Sequence, residues 1–166
     1  MDIDNIFSSL IKEMGYQNNK TVVINKVVMN SKEVEKNNLF IAIRGGNAYV
    51  NEALEKGAFV IYDDNTTNLN NNPNSFLVDD SVKFMQELAH EWRNVLNIKI
   101  IGITGSNGKT TVKDMVFQLL STKYNGKKTE GNYNNHIGLP FTLLRSEKND
   151  DFMVLEMGMS DFGEIE

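Results

Sequence analysis

The 166-residue chain contains no cysteine, two prolines and two histidines. Without cysteine it can form neither a disulfide nor a thiolate metal site, and catalysis by a cysteine nucleophile is excluded. Only His90 and His136 could supply imidazole, and His136 is interpreted as an orienting or surface residue because no second histidine or cysteine stands at ligand spacing. A histidine or cysteine metal centre is therefore not expected.

Long apolar runs and an excess of positive charge are also missing. No segment approaches the roughly 18 apolar residues that a membrane-spanning helix requires, and residues 1–15 lack the basic start and apolar core of a secretory signal. A formal net charge of −5 argues against broad binding to nucleic acid or to an anionic membrane. We therefore expect a cytoplasmic protein without nucleic-acid binding or membrane insertion. The negative net charge remains compatible with a local phosphate-binding site.

The first 97 residues show the pattern of a small α/β domain. Apolar residues at helical spacing from Ile3 to Met14, followed by Gly15, predict an opening helix. Short apolar runs at 21–29, 39–43, 58–62 and 75–78 predict strands, with a helical pattern at 48–57 and a surface loop at 63–74. The spacing of Met85, Leu88, Trp92 and Val95 predicts a helix at the junction with a second unit.

Residues 98–166 show the order expected at the start of a parallel, doubly wound sheet. The pattern predicts strands at 98–103, 127–129 and 152–156, with helices at 110–122 and 137–145. Because two or three strands make an incomplete parallel sheet, we expect the chain to be the N-terminal part of a longer protein. An unfinished sheet exposes a strand edge, which favours self-association.

The stretch GITGSNGKTTVKDM (102–115) joins the first of these strands to the next helix, whose apolar positions are Val112, Met115, Val116, Leu119 and Leu120. Backbone N–H groups and the helix dipole converge on an anion in such a loop. Gly105 and Gly108 allow the chain to curl, Lys109 reaches outer phosphates, and Thr110 offers a hydroxyl to Mg²⁺. The first glycine of the common Walker pattern is replaced by Ile103. A plain glycine-rich turn is the disfavoured alternative.

Two further segments supply candidate site residues. Glu156 follows the apolar run 152–155, where a strand-end carboxylate could hold the metal of an ATP site; an ordinary solvated carboxylate is the alternative. Asn132, Asn134 and Asn135 lie in a turn-rich segment at the edge of the sheet that binds ligands in this architecture. Asparagine side chains also form hydrogen bonds with the backbone of the turns that contain them, so both a binding and a structural role stay open.

The phosphate loop, together with TEGNYNNHIGLPFTLL (129–144) and VLEMGMSDFGEIE (154–166), resembles the Mur ligase family, the ATP-dependent amino acid ligases of cell-wall precursor synthesis. The last two segments are similar to the branch that adds D-alanyl-D-alanine to UDP-N-acetylmuramoyl-tripeptide. The fold implied is a small N-terminal α/β substrate domain, at 1–97, followed by the first part of a P-loop parallel-sheet ATPase domain, at 98–166. The shortened loop of this family accounts for the Walker mismatch.

The resemblance also implies roles for particular residues. ATP phosphates would be bound by Gly105, Ser106, Asn107, Gly108, Lys109, Thr110 and Thr111. Lys109 and Glu156 would act in catalysis, and Thr110 and Glu156 would bind Mg²⁺. The substrates UDP-N-acetylmuramoyl-tripeptide and D-alanyl-D-alanine would contact Ser31, Asn132, Asn134 and Asn135. The family's Asp-Ser-Arg is Asn30, Ser31 and Lys32 here, and its Asp-Gly-His after the glycine is missing.

The implied reaction is amide-bond formation through an acyl phosphate, with catalysis supplied by positioning and charge neutralisation. The chain alone is expected to be inactive, since the rest of the family's machinery would lie beyond residue 166. One alternative is another Mur-type ligase, adding the third residue or polyglutamate. A second alternative, of a different class, is a module that holds ATP without catalysing a reaction.

Overall fold

The computed structural model describes residues 2–17, 21–67, 69 and 72–158. The chain divides into two compact units, Met1–Trp92 and Arg93–Glu166. The division falls inside a helix, upstream of the boundary predicted after residue 97. Each unit is an α/β structure built on a parallel sheet, which confirms the predicted fold class.

The first unit contains a four-stranded sheet in which sequential strands are neighbours and all pairs are parallel. The strands are β1 (Lys26–Val28), β2 (Asn38–Ile41), β3 (Phe59–Tyr62) and β4 (Ser75–Leu77), and the helices are α1 (Ile3–Glu13), α2 (Val50–Glu55) and α3 (Ser81–Val95). Short 3₁₀ helices lie at Ser31–Glu33 and Gly46–Tyr49. Gly15 has φ +90° just after α1, as expected of a helix-ending glycine.

The central strands of the first unit are buried at every residue and are mostly apolar. Because successive residues of a strand point to opposite sides, both faces of the sheet are apolar. On one face the ring of Phe7, from α1, contacts the rings of Phe59, Phe76 and Phe84. On the other face a second cluster includes Phe40 and Val60 with Ala53 of α2. Covering both faces is the arrangement expected of an all-parallel sheet.

Only part of the predicted first strand joins the sheet. Residues 21–25 are outside β1. Ile24 N donates to Asp4 Oδ1 (2.9 Å), and Asn25 N donates to the O of Asn37, the residue before β2 (2.9 Å). The described part of the predicted loop 63–74 lies in turns, with 68, 70 and 71 outside the described residues. Val95 is half-buried and Leu96 is buried at the end of the predicted junction helix.

The second unit is a three-stranded parallel sheet flanked by helices. Its elements are β5 (Lys99–Ile103), α4 (Lys109–Ser121), β6 (Gly126–Lys128), α5 (Gly138–Leu144) and β7 (Phe152–Glu156). The strand order is β5-β7-β6, so the last strand lies in the centre. Ile103 and Glu156 are register partners, which brings the carboxyl ends of β5 and β7 together beside the loop before α4.

Helix α4 buries a different set of residues than its apolar positions suggest. Val112, Met115 and Leu119 are exposed, whereas Lys113 is only 3% exposed. The Lys113 side chain faces the sheet, where it pairs with the carboxylate of Glu156. Within the described residues, no helix is both long enough and apolar enough to span a bilayer.

Candidate functional site

The loop between β5 and α4 depends on two glycines with positive φ. Gly105 has φ +144° and Gly108, which caps α4, has φ +78°. A Cβ at Gly108 would meet no atom within 4 Å, so glycine is favoured there by backbone conformation and not by lack of space. Residues 104–108 are exposed at the N-terminus of a 13-residue helix, where free N–H groups and the helix dipole favour an anion.

Lys109 lies across this loop. Its Nζ donates a hydrogen bond to the carbonyl oxygen of Gly105 (2.7 Å), so the ammonium is held over the curled backbone. An ammonium in that position supplies a compact positive charge to phosphate oxygens bound at the helix terminus.

Glu156 ends the central strand with its side chain buried at 4% exposure. Its backbone N donates to Thr129 Oγ1 (2.9 Å), and its Oε1 accepts from Asn134 Nδ2 (3.1 Å). Thr129 is itself fully buried, and its N donates to Val154 O (2.9 Å). The carboxylate is therefore held in a fixed orientation by the segment that follows β6.

The second oxygen of this carboxylate is a buried acceptor. Glu156 Oε2 accepts no hydrogen bond from the described residues, and lies 3.4 Å from Lys113 Nζ, with which it forms an ion pair. Burial raises the pKa of Glu156, but interactions with Asn134, Thr110 and Lys113 together outweigh burial and hold this pKa below its ordinary value. The side chain thus remains a carboxylate, an oxygen ligand suited to Mg²⁺.

The three asparagines between β6 and α5 have different surroundings. Asn134 contacts Glu156, and its backbone O accepts from Gly158 N (2.8 Å). Asn135 Oδ1 accepts from the N–H groups of Ile137 and Gly138 (3.1 and 2.9 Å), which caps the start of α5. Asn132 is exposed, and its backbone O accepts from Asn134 N (2.8 Å).

All of the predicted site residues except Ser31 lie in the second unit. The loop Gly105–Thr111, Asn134 and Glu156 lie around the carboxyl ends of β5 and β7 in the second unit. Ser31 lies in the first unit, where it begins a 3₁₀ helix and its backbone O accepts from Lys56 Nζ (3.2 Å).

Sequence reasoning missed Lys113 and Thr129. The signal for Lys113 was its spacing, because it follows Thr110 by one helical turn and so lies on the same face of α4. Thr129 carried no comparable signal, since its contact with the Glu156 backbone depends on the strand order.

These residues fit a magnesium–nucleotide site. Among the residues that the structure describes, no three histidine, aspartate or glutamate side chains converge as a metal cage. Mg²⁺ commonly binds through one or two carboxylates while phosphates and water complete its coordination. A buried carboxylate with an acceptor lacking a hydrogen bond, beside the Thr110 hydroxyl and a helix N-terminus, provides that partial set of ligands.

The chain is similar to known proteins over most of its length. Residues 103–166 match the Mur ligase middle domain. The UDP-N-acetylmuramoyl-tripeptide–D-alanyl-D-alanine ligase of Bacillus subtilis is 44% identical over 149 residues, which cover 87% of this chain and 33% of that protein. The Escherichia coli protein of the same name is 31% identical over 148 residues, or 87% of this chain and 32% of that one.

The chain is similar to Mur ligases. Among solved structures, MurF ligase from Thermotoga maritima in complex with ADP aligns with TM-score 0.74 and 37% identity, covering 88% of this chain and 35% of that one. A MurF structure from Acinetobacter baumannii aligns with TM-score 0.80 at 24% identity, a likeness of fold, over 98% of this chain and 37% of that one. The chain spans about a third of the length of the curated relatives it matches.

Proposed function

We propose that this chain is part of an ATP-dependent ligase that joins D-alanyl-D-alanine to UDP-N-acetylmuramoyl-tripeptide. The observation that carries the proposal is the buried Glu156 carboxylate beside the glycine loop at the N-terminus of α4. The names of the relatives supply the substrates, and the ADP complex of the Thermotoga structure supports a nucleotide at the loop. The cytoplasmic location predicted from the sequence stays a prediction.

In this reaction the tripeptide carboxylate attacks the γ-phosphorus of ATP, which forms an acyl phosphate and releases ADP. The amine of D-alanyl-D-alanine then attacks the acyl carbon, loses a proton and displaces inorganic phosphate to form the amide. Negative charge on the phosphate oxygens is the main electrostatic obstacle to the first step. The N–H groups of 105–111 and the Lys109 ammonium are the groups of this chain that would bind and neutralise that charge.

Thr110 and Glu156 are the residues that would hold Mg²⁺, which when bound adds positive charge at the β- and γ-phosphates. Asn134 would act on this site by orienting Glu156 through the bond to Oε1. Substrate contacts of Ser31, Asn132, Asn134 and Asn135 stay predictions, as does self-association of the chain.

Thermal unfolding with separate ligands tests the proposal. A ligand that binds the folded chain raises the unfolding midpoint, by an amount that increases with the ratio of its concentration to Kd. We expect Mg²⁺–ATP and UDP-N-acetylmuramoyl-tripeptide each to raise the midpoint of the 166-residue chain. UDP-N-acetylglucosamine, which lacks the peptide, serves as the matched control and should protect less.

Protection by ATP alone would indicate a nucleotide-binding module that does not recognise the acceptor, and would contradict the ligase assignment. A coupled ADP-release assay with both substrates provides a second check. We expect no steady turnover from this chain, because it spans about a third of its relatives' length. Turnover would show that these 166 residues contain the complete active site.

A further inference from the structure

Lys113 is a buried charged residue that the proposed reaction does not use. It lies on α4 one turn beyond Thr110 and is 3% exposed. Its Nζ is 3.4 Å from Glu156 Oε2 and 3.8 Å from Asp114 Oδ1. The inference below rests on the proposed function, because it concerns the cation at that same site.

Burying this ammonium is costly for the fold. Removing an ammonium from water is unfavourable, and an ion pair offsets this only with good geometry and further hydrogen bonds. The pairs of Lys113 are long, at 3.4 and 3.8 Å, whereas Lys128 bonds Asp114 at 2.7 Å. Stability of the pair alone is therefore a weak reason to place a lysine at this position.

The position of Lys113 matters for any cation at Glu156. Oε1 of the carboxylate accepts from Asn134, whereas Oε2 accepts no hydrogen bond from the described residues and is the oxygen that Lys113 faces. A divalent cation bound to Oε2 would lie within a few ångströms of the ammonium and would be repelled in this buried setting. Nucleotide phosphates at the loop would bring negative charge that offsets this repulsion.

We propose that Lys113 suppresses cation binding at Glu156 until a nucleotide supplies its phosphates, so that the cation and the nucleotide bind together. Thermodynamic linkage requires the effect to be reciprocal: nucleotide must tighten cation binding by the same factor that the cation tightens nucleotide binding. Lys113 thus strengthens the coupling between cation and nucleotide binding, and it need not touch the reacting atoms.

Mn²⁺ binding to the full chain tests this inference without any measurement of activity. Free Mn²⁺ is quantified by electron paramagnetic resonance, with and without ADP, for the wild-type chain and for Lys113→Gln. We expect wild type to bind Mn²⁺ weakly alone and strongly with ADP. Lys113→Gln should bind Mn²⁺ alone at least about tenfold more tightly, because a nearby unit charge has been removed.

Two variants control for packing and net charge. Lys113→Arg keeps the positive charge and should retain weak nucleotide-free binding. Lys128→Gln removes a charge from a lysine paired with Asp114 and not with Glu156, and should leave Mn²⁺ affinity within about twofold of wild type. Circular dichroism verifies folding, and if Lys113→Gln does not fold, Lys113→Met is compared with Lys113→Arg.

Equal nucleotide-free affinity in Lys113→Gln and wild type would overturn the inference, as would equal tightening by Lys128→Gln. Failure of the proposed function has a different signature, which is absence of ADP binding by wild type at any Mn²⁺ concentration. In that case the nucleotide-free comparison of Lys113→Gln with wild type still decides whether Lys113 opposes the cation.

Discussion

The buried pair of Glu156 and Lys113 shows how much one residue's position depends on its neighbours. Asn134 holds one carboxylate oxygen and Lys113 faces the other, while the strand backbone is fixed through Thr129. Each of these side chains comes from a different part of the second unit. A change in any of them would therefore alter the direction or charge of the carboxylate without removing it.

Asp64, just after β3, supports a prediction about pH. Its pKa is lowered first by the side-chain hydrogen bond from Thr66, then by the Thr66 backbone N–H and the Thr67 hydroxyl, against a small opposing effect of desolvation. The bonds to Thr66 Oγ1, Thr66 N and Thr67 Oγ1 measure 2.7, 2.9 and 3.0 Å. Thr66→Val should therefore raise the Asp64 pKa toward its ordinary value, as followed by an NMR titration of the carboxyl carbon.

The direction of the accompanying stability change follows from linkage. Because the folded pKa of Asp64 lies below its unfolded value, the hydrogen bonds stabilise the folded chain above the unfolded pKa, and this contribution is lost as pH falls through the folded pKa. Thr67→Val is the matched control and should produce a smaller pKa change. A larger change in Thr67→Val, or none in Thr66→Val, would refute the assigned order of causes.

At the scale of elements, Asn135 supports a prediction about the start of α5. Its Oδ1 accepts from Ile137 N and Gly138 N, two donors that have no partner within the first turn of a helix. Asn135→Ala should lower the free energy of unfolding by about 1 kcal/mol, as typical for a lost side-chain cap. Urea denaturation of the full chain measures this difference.

Asn135→Asp keeps an acceptor at the same position and should cost much less than Asn135→Ala. Asn132→Ala alters an exposed asparagine of the same segment and should be close to neutral. If Asn132→Ala were as costly as Asn135→Ala, capping would not explain the effect.

Hydrophobic periodicity predicted most elements but not how they are arranged. It located α1, α3 and α4 through apolar residues at helical spacing, and β7 was located through a short continuous apolar run. It did not reveal the central position of β7, because strand order depends on contacts between distant segments. It also did not reveal that α4 buries Lys113 and exposes Met115, because the partner of Lys113, the Glu156 carboxylate, lies on a strand distant in sequence.

At the scale of the whole molecule, the candidate site is confined to the second unit. The loop motif was predictable because its glycines and lysine are contiguous, and the strand-end carboxylate because an apolar run precedes it. The contacts of Asn134 and Lys113 with Glu156 were not predictable, since they join a loop, a helix and a strand through side chains. Ser31 lies in the first unit, and its contact with the substrate is a separate prediction.

This confinement predicts where a nucleotide protects the chain. Mg²⁺–ADP should slow hydrogen exchange at the backbone amides of 105–111, because phosphate oxygens would accept hydrogen bonds from their N–H groups. The exchange rates of strands β1–β4 in the first unit should not change. Lys109→Ala removes a charge-assisted contact worth about 1.5–3 kcal/mol, so Mg²⁺–ADP should bind roughly tenfold to a hundredfold more weakly. Hydrogen exchange followed by mass spectrometry over an ADP titration measures both the location and the affinity.

Lys123→Ala is the matched control, since Lys123 lies just beyond the other end of α4 and should not affect nucleotide binding. The decisive comparison is the ADP concentration that gives half-maximal protection of 105–111 in each variant. Equal midpoints in wild type and Lys109→Ala would remove Lys109 from the phosphate site. Protection confined to the first unit would move the nucleotide away from the loop, because a ligand that contacts the α4 N-terminus must restrict those amides directly.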